Sequence, residues 1–205
     1  SELRVIFDLD DTLWPCEPVI LAAERELHQW LQRCTPRLAL AHDMHSLREH
    51  RLQLSRERPE IAHDITALRH QSLQELLEEF RYTGHLAAEA MDLFLEVRNQ
   101  VEPYAEVPGA LRRLGESYTL VATTNGNADV RRLGLADYFQ FTLCAEDLGV
   151  GKPDPHLFQQ ALRLGADRAG ALSFRASMDS QMRHECRAEG DSLTLTGRCP
   201  YGTAV

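Results

Sequence analysis

The chain has 205 residues, of which 43% are hydrophobic and 26% are charged, and its formal net charge is −9. This length suffices for one α/β domain with a sizeable core, or for such a domain carrying an insertion. The negative charge argues against a nucleic acid partner, because binding to a phosphate backbone needs a basic surface. No basic-then-apolar signal pattern opens the chain and no apolar run is long enough to span a bilayer, so we predict a soluble protein without a membrane partner.

Five cysteines are scattered along the chain without a C-x-x-C pair: Cys16, Cys34, Cys144, Cys186 and Cys199. An odd number of cysteines without a pairing pattern is typical of a reducing compartment. We therefore predict a cytoplasmic location. The sequence is silent on the oligomeric state.

A short apolar run near the start leads into three acids, Asp8, Asp10 and Asp11, and then into Thr12. The run predicts a buried strand that ends at the acids, which is where open α/β sheets place their functional groups. On extended backbone Asp8 and Asp10 would face the same way. Because two close carboxylates repel, a divalent cation or a shared proton would stabilise them. A turn or a helix cap is the alternative interpretation of such acids.

Helical periodicity follows the opening strand. It predicts helices over about residues 17–33, 40–54, 64–81 and 86–100. Asp64 stands where it would cap the third of these helices. No strand pattern interrupts this part of the chain, so residues 16–102 are predicted to form a small helical bundle.

Strand and helix patterns alternate again in the second half of the chain. The predicted elements are a short helix near 107–114, strands over 118–123 and 141–144, helices over 128–133 and 155–164 with a loop over 146–155 between them, a strand over 171–174, a charged helical stretch and a last strand near 193–196. This order predicts an α/β fold, a Rossmann-like parallel sheet formed by residues 1–15 and 103–205 and interrupted once by an all-helical domain of residues 16–102.

Three segments resemble the motifs of the haloacid dehalogenase-like superfamily. They are Phe-Asp-Leu-Asp-Asp-Thr-Leu at 7–13, Thr-Asn-Gly at 124–126 after an apolar strand, and Gly-Lys-Pro-Asp-Pro at 151–155. The resemblance implies that the helical domain is a cap of the C1 type. It also implies a Mg²⁺-dependent phosphatase that acts on a small-molecule phosphate ester through an aspartyl-phosphate.

The resemblance assigns catalytic roles to Asp8, Asp10, Thr124 and Lys152. Asp8 would be the nucleophile, and Asp10 would protonate the leaving oxygen and later activate water. Thr124 and Lys152 would stabilise the phosphoryl oxygens, and a lysine held between Gly and Pro-Asp-Pro just before a helix is more restrained than an ordinary surface lysine. Dehalogenating relatives lack the second acid, so Asp10 favours ester hydrolysis over carbon–halogen cleavage. Asp11 is predicted to be a structural or solvated acid.

The substrate phosphate would be bound by backbone N–H groups around Asn125 and Gly126, at the opening of the helix predicted after them. The carboxylate of Asp8 and the backbone carbonyl of Asp10 would bind Mg²⁺, which prefers oxygen ligands. Thr12 is predicted to support the loop.

The fourth motif of the superfamily is not matched. The family places Gly-Asp after the strand near 171–174 and a further Asp a few residues later, where this chain has Arg175-Ala176 and Gln181. Asp179 is the nearest carboxylate and would serve only if the loop shifts. A natural variant with a weakened metal site, an altered sequence, and a protein that binds phosphates without turning them over all stay open.

Parts of the helical segment and residues 122–128 resemble the bacterial pyrimidine phosphatases of riboflavin biosynthesis. This resemblance implies 5-amino-6-(5-phosphoribitylamino)uracil or flavin mononucleotide as substrate. A general nucleotide or sugar-phosphate phosphatase and a phosphate mutase are alternatives. His63, Thr66 and Arg69 belong to the resembling segment, but we interpret them as a helix start with an exposed flank and leave them out of the predicted site.

Overall fold

The computed structural model of the chain describes residues 4–164, 172–175, 183–189 and 192–198. Its strands are β1 (Arg4–Asp8), β2 (Thr119–Thr124), β3 (Phe141–Cys144), β4 (Leu172–Arg175), β5 (Arg183–Glu189) and β6 (Ser192–Arg198). Its helices are α1 (Cys16–Cys34), α2 (Pro36–Ala41), α3 (Met44–Glu57), α4 (Ile65–Glu79), α5 (Leu86–Arg98), α6 (Val107–Gly115), α7 (Ala145–Leu148) and α8 (Pro155–Arg163), with a short 3₁₀ helix at Ala136–Tyr138. None of the described helices is both long and apolar enough to cross a membrane.

The six strands form one sheet in the order β3-β2-β1-β4-β5-β6. Strands β3, β2, β1 and β4 are parallel to one another, whereas β5 is antiparallel to β4 and β6 is antiparallel to β5. β1 lies between β2 and β4, and Asp8 at its end is in register with Thr123 of β2. The predicted α/β class with a parallel sheet is therefore confirmed, and the carboxyl ends of β1 and β2 meet at the same edge of the sheet.

Two predicted helices in the second half of the chain are wrong. No helix forms over residues 128–133: residues 130–134 form a turn. The Asp129 carboxylate accepts the backbone N–H of Arg131 at 3.0 Å, and such a side-chain bond competes with helix hydrogen bonds. The charged stretch before the last strand contains β5, which pairs along its whole length with β6. Pairing with a neighbouring strand overrides local propensity here.

The loop predicted over residues 146–155 begins with one turn of helix. This turn, α7, ends at Gly149, whose φ of 73° is the left-handed conformation that glycine adopts without strain at a helix end. The remaining residues lead into α8, whose start is capped by Asp154: its carboxylate accepts the His156 N–H at 2.8 Å.

The chain divides into two compact units, one of residues 1–16 with 102–205 and one of residues 17–101. The first, which we call the α/β unit, contains the sheet. One of its clusters of buried side chains joins β1, β2 and β3 to α8 and consists of Ile6, Val121, Leu143, Leu157, Phe158 and Ala161. This packing fixes the strands whose ends carry the predicted site residues.

The second unit, which we call the helical unit, contains no strand among its residues. Its core consists of Ala23, Leu27, Leu31, Leu38, Leu47, Leu73, Leu76, Leu77, Ala87, Ala90, Met91 and Phe94. The predicted cap of α4 is confirmed, since the Asp64 carboxylate accepts the Ala67 N–H at 2.7 Å. The prediction that Arg69 lies on an exposed flank of this helix is wrong. Arg69 is only 8% exposed, because its side chain packs inside the helical unit against Phe94.

Candidate active site

Two residues 144 positions apart in the sequence meet at the end of β1. Lys152, in the loop between α7 and α8, donates from Nζ to Asp8 Oδ1 at 2.6 Å and to the carbonyl of Thr123 at 3.2 Å. The Asp8 and Lys152 side chains are 24% and 13% exposed. A partly buried ammonium thus lies directly beside the predicted nucleophile, where it offsets negative charge more strongly than it would in water.

The two carboxylate oxygens of Asp8 have different surroundings. Oδ1 accepts both the Lys152 ammonium and the backbone N–H of Leu9, the latter at 2.9 Å. Oδ2 accepts no hydrogen bond from any residue that the structure describes. One oxygen is therefore fixed in orientation, and the other is left for a metal ion or an incoming phosphorus atom.

The carboxylate of Asp10 is oriented by a tryptophan that sequence reasoning did not single out. The indole Nε1 of Trp14 donates to Asp10 Oδ1 at 2.8 Å, and Trp14 is fully buried. The loop between them is closed by the Asp11 N–H, which donates to the Trp14 carbonyl at 2.8 Å. A buried indole needs a hydrogen-bond acceptor, and Asp10 provides it.

Asp11 has a structural role, which confirms the prediction. Its backbone is left-handed, with φ at 58°. Its exposed side chain accepts the N–H of Cys16 at 2.8 Å, at the first residue of α1. Aspartate tolerates the left-handed region better than most residues and suits a helix start.

The second predicted motif adopts a different local structure from the one expected. Thr124 ends β2 and is buried, and its hydroxyl oxygen accepts the backbone N–H of Gly126 at 2.9 Å. Because residues 125–135 contain no helix, no helix N-terminus lies after Gly126 to bind a phosphate. A phosphate at this position would compete with the Thr124 hydroxyl for the Gly126 N–H.

The side chain of Asn125 binds protein backbone. Its Oδ1 accepts the N–H of Lys152 at 2.7 Å, and its Nδ2 donates to the carbonyl of Lys152 at 2.9 Å. The Asn125 side chain thereby binds both the backbone N–H and the backbone carbonyl of Lys152. We call this pair of hydrogen bonds the Asn125 clamp. The structure thus gives the Asn125 side chain a role in positioning Lys152, which sequence reasoning missed.

Glycine at position 151 leaves the space that the Asn125 clamp occupies. A Cβ at this position would lie 2.9 Å from Asn125 Oδ1, 3.1 Å from its Cγ and 3.3 Å from the Cβ of Ala145. Contacts this close force a neighbour to move. The glycine directly before the lysine indicated a restrained position in the sequence. Its contact with Asn125 depends on how the two loops fold and is not contained in the sequence pattern.

A thiol at the same edge of the sheet is not a competing nucleophile. Burial, together with the carboxylates of Asp147 and Glu146, raises the pKa of Cys144 to about 11. The reactive form of cysteine is the thiolate. Cys144 is therefore neutral at physiological pH.

The donors at the end of β1 fit part of a magnesium site. The Asp8 carboxylate and the Asp10 carbonyl are hard oxygen ligands, and Mg²⁺ commonly uses one or two carboxylates and keeps several waters. No group of three His, Cys, Asp or Glu residues able to hold a metal ion occurs in the described ranges. Asp179, Ala176 and Gln181 of the fourth motif lie outside those ranges.

Comparisons with known sequences find one matching family model and relatives that are named as phosphatases. A family model described as haloacid dehalogenase-like hydrolase matches residues 4–168. The chain is 35% identical over 151 residues to the 5-amino-6-(5-phospho-D-ribitylamino)uracil phosphatase YigB of Escherichia coli, covering 72% of this chain and 63% of that protein. It is 36% identical over 97 residues to a phosphoserine phosphatase of Thermus thermophilus, covering 43% of this chain and 38% of that one. The chain therefore spans less than two thirds of the length of either relative.

Solved structures add one close neighbour and confirm the fold. A 2-haloacid dehalogenase from Pseudomonas syringae superposes with a TM-score of 0.79 at 46% identity, covering 85% of this chain and 77% of that one. A HAD-hydrolase YfnB from Bacillus subtilis superposes with a TM-score of 0.57 at 18% identity, covering 86% and 81%. The second likeness concerns the fold alone.

Proposed function

Because the chain belongs to the haloacid dehalogenase-like hydrolases, we propose that it hydrolyses phosphate monoesters of small metabolites through an aspartyl-phosphate formed on Asp8. The observation that carries this proposal is the 2.6 Å contact between Lys152 Nζ and Asp8 Oδ1. It provides a carboxylate, one oxygen of which accepts no hydrogen bond from the described residues, beside a partly buried cation. That combination suits attack on a phosphorus atom that carries negative charge.

In the first step the Asp8 carboxylate forms a bond to phosphorus while the bond from phosphorus to the ester oxygen breaks. Asp10 gives its proton to the departing oxygen, and Trp14 keeps its carboxyl group in place. In the second step Asp10 takes a proton from water, and the water oxygen attacks phosphorus. Inorganic phosphate leaves and the Asp8 carboxylate is restored.

Positive charge and hydrogen-bond donors stabilise the transferring group. The Lys152 ammonium offsets charge that develops on the phosphoryl oxygens. The Thr124 hydroxyl accepts the Gly126 N–H through its oxygen and can still donate its own proton to a phosphoryl oxygen. The Asp8 carboxylate and the Asp10 carbonyl would hold Mg²⁺, which supplies further neutralisation of the substrate phosphate when bound. The Asn125 clamp keeps Lys152 at its distance from Asp8.

We propose 5-amino-6-(5-phospho-D-ribitylamino)uracil as the first candidate substrate, because the relative YigB is named as a phosphatase of that compound. Flavin mononucleotide is the second, from the resemblance to the pyrimidine phosphatases. The cytoplasmic location predicted from the cysteines agrees with either metabolite. A general nucleotide or sugar-phosphate phosphatase would accept a wider panel of esters at similar rates.

The test is Mg²⁺-dependent release of inorganic phosphate from an aryl phosphate and from these two esters. Asp8→Asn should lower the rate about a thousandfold or more, since removal of a nucleophile has effects of that size. Asp11→Asn is the matched control, because asparagine also tolerates the left-handed backbone at this position, and it should retain most activity. Equal rates for Asp8→Asn and the unmodified chain would overturn the nucleophile assignment.

Dehalogenation is a second candidate function, because the neighbour from Pseudomonas syringae that is 46% identical is called a 2-haloacid dehalogenase. Asp10 favours the phosphatase, since dehalogenating relatives lack the second acid. Chloride release from 2-chloropropionate, measured on the same protein, separates the two. Chloride without phosphate would replace the phosphatase proposal, and phosphate binding without either product would indicate a non-catalytic relative.

A further inference from the structure

Three arginines of the helical unit surround one buried carboxylate. Glu24 of α1 accepts from Arg48 at 2.7 Å, from Arg51 at 3.2 Å and from Arg69 at 3.5 Å. The side chain of Glu24 is 7% exposed. Since Arg48 and Arg51 lie on α3 and Arg69 on α4, this arginine cluster joins three helices of the same unit.

The arginine cluster carries more positive than negative charge. Three guanidinium groups face one carboxylate, which leaves a formal surplus of two positive charges. Arg48 is 45% exposed and solvated, but Arg51 and Arg69 are only 17% and 10% exposed. Burial, together with repulsion from Arg51, lowers the pKa of Arg69 to about 9. Positive charge that is poorly solvated and only partly paired is costly for the fold.

The hydrogen-bond donors of the cluster are also in surplus. A guanidinium has five N–H donors, yet Arg51 and Arg69 each make one hydrogen bond to the described residues, in both cases to Glu24. Neither arginine has a nitrogen that is both enclosed and unpaired among those residues. The nitrogens of these two side chains that make no such bond therefore keep some contact with solvent. Glu75, an acid on α4, lies 3.9 Å from His50 and is not paired with either arginine.

Arg69 is held in a fixed orientation. Its Cζ lies 3.8 Å from the centroid of the Phe94 ring, within the range of a cation–π contact. Phe94 is itself fully buried in the core of the helical unit. The guanidinium plane is thus set in advance, which lowers the entropic cost of binding a ligand to it.

We propose that Arg51 and Arg69 form a binding site for a tetrahedral dianion of the phosphate or sulfate type, with Glu24 holding the two side chains in position. The planar fork of arginine matches two oxygens of such an ion, and the surplus charge of the cluster equals the charge of a dianion. The site uses neither Asp8 nor Lys152. It does not depend on the proposed phosphatase activity.

The test is a sulfate titration of the full chain, carrying Lys152→Met so that the cation beside Asp8 cannot bind the ion. The Nε–Hε resonances of Arg51 and Arg69 in ¹⁵N-labelled protein should shift and saturate together, and calorimetry should give the affinity. Arg51→Gln should weaken sulfate binding about tenfold or more, as expected for the loss of a charged hydrogen bond. Arg56→Gln, an exposed arginine of the same helix, is the matched control and should leave the affinity unchanged.

Two further arms make the result decisive. Acetate, with a single charge, should bind more weakly than sulfate; equal or tighter binding of acetate would overturn the assignment to a dianion. If Arg51→Gln does not fold, as judged by circular dichroism, Arg51→Lys replaces it: this variant keeps the charge but loses the fork, and it should still weaken sulfate binding. Unshifted arginine resonances, or equal affinities for the changes at positions 51 and 56, would show that the cluster only joins the helices.

Discussion

The position of a single ammonium group decides what the end of β1 can do. Lys152 Nζ lies 2.6 Å from Asp8 Oδ1 and 3.2 Å from the carbonyl of Thr123, so two acceptors on adjacent strands fix it. The chain as a whole has a formal charge of −9, which repels anionic substrates at long range. A phosphate must therefore be attracted by positive charge close to the site, and in the α/β unit the Lys152 ammonium beside Asp8 supplies such a charge.

Replacing this lysine tests its part in the proposed reaction. Lys152→Met keeps much of the side-chain volume but removes the charge, so we expect phosphate release to fall about a hundredfold or more, the range seen when a donor to a developing oxyanion is lost. Steady-state rates with an aryl phosphate give the measurement, and circular dichroism controls for the fold. Retention of full activity would exclude Lys152 from the reaction.

Because the Asn125 clamp positions Lys152, we expect changes at Asn125 and Gly151 to lower activity even if neither residue contacts the substrate. Asn125→Ala removes both hydrogen bonds to the Lys152 backbone, and Gly151→Ala places a methyl group 2.9 Å from Asn125 Oδ1. Both changes should lower kcat about tenfold to a hundredfold, because a small displacement of a catalytic group has that effect. KM should change much less, since the clamp acts on the position of Lys152.

The control for the glycine variant is Gly115→Ala at the end of α6. A Cβ there would meet nothing within 4 Å, so activity should be unchanged. Equal loss of activity from both glycine variants would point to a general loss of stability and would contradict the specific role of Gly151.

At the scale of elements, the helical unit depends on local capping as well as on its core. The Asp64 carboxylate accepts the Ala67 N–H at 2.7 Å, which satisfies one of the free N–H groups at the start of α4. Asp64→Ala should lower the free energy of unfolding by about 1 kcal/mol. Urea unfolding followed by circular dichroism gives the value, with Glu60→Ala on the exposed preceding loop as the control. No difference between the two variants would mean that the cap is not stabilising.

The elements that sequence patterns predicted correctly are those whose signal lies within the element. The apolar run before Asp8 and the periodicity of α1 and α4 are of this kind, and Ile6 of the run and most of the apolar face of each helix are buried, although Ile65 at the start of α4 is 37% exposed. The helix predicted at 128–133 is wrong because the Asp129 carboxylate accepts the backbone N–H of Arg131, and this side-chain bond favours a turn over a helix. Strand β5 was missed because its conformation depends on pairing with β6, which a local pattern does not contain.

The same distinction applies to the site. The family resemblance predicted that Asp8 and Lys152 act together, and the structure places them in contact. The bond from Trp14 to Asp10 and the Asn125 clamp were not predicted, because both depend on how loops close after a strand ends. The fourth motif stays a prediction, since Ala176, Asp179 and Gln181 lie outside the described residues.

At the scale of the whole molecule, the chain carries two units, each with its own buried core. The sheet of the α/β unit presents the candidate nucleophile, and the helical unit contains the arginine cluster. We propose that the helical unit is the cap of the family, as its insertion between β1 and β2 implies. Membership of the haloacid dehalogenase-like hydrolases rests on residues 4–168, which include both β1 and Lys152.

The covalent intermediate is the most direct test of the account. The protein would be mixed with an aryl phosphate and Mg²⁺, quenched with acid within milliseconds, digested and analysed by mass spectrometry. We predict a phosphoryl group on Asp8 that is absent from Asp8→Asn and from unquenched samples after the substrate is exhausted. Steady release of inorganic phosphate with no phosphoryl group on Asp8 at any quench time, or with the group on another residue, would contradict the account.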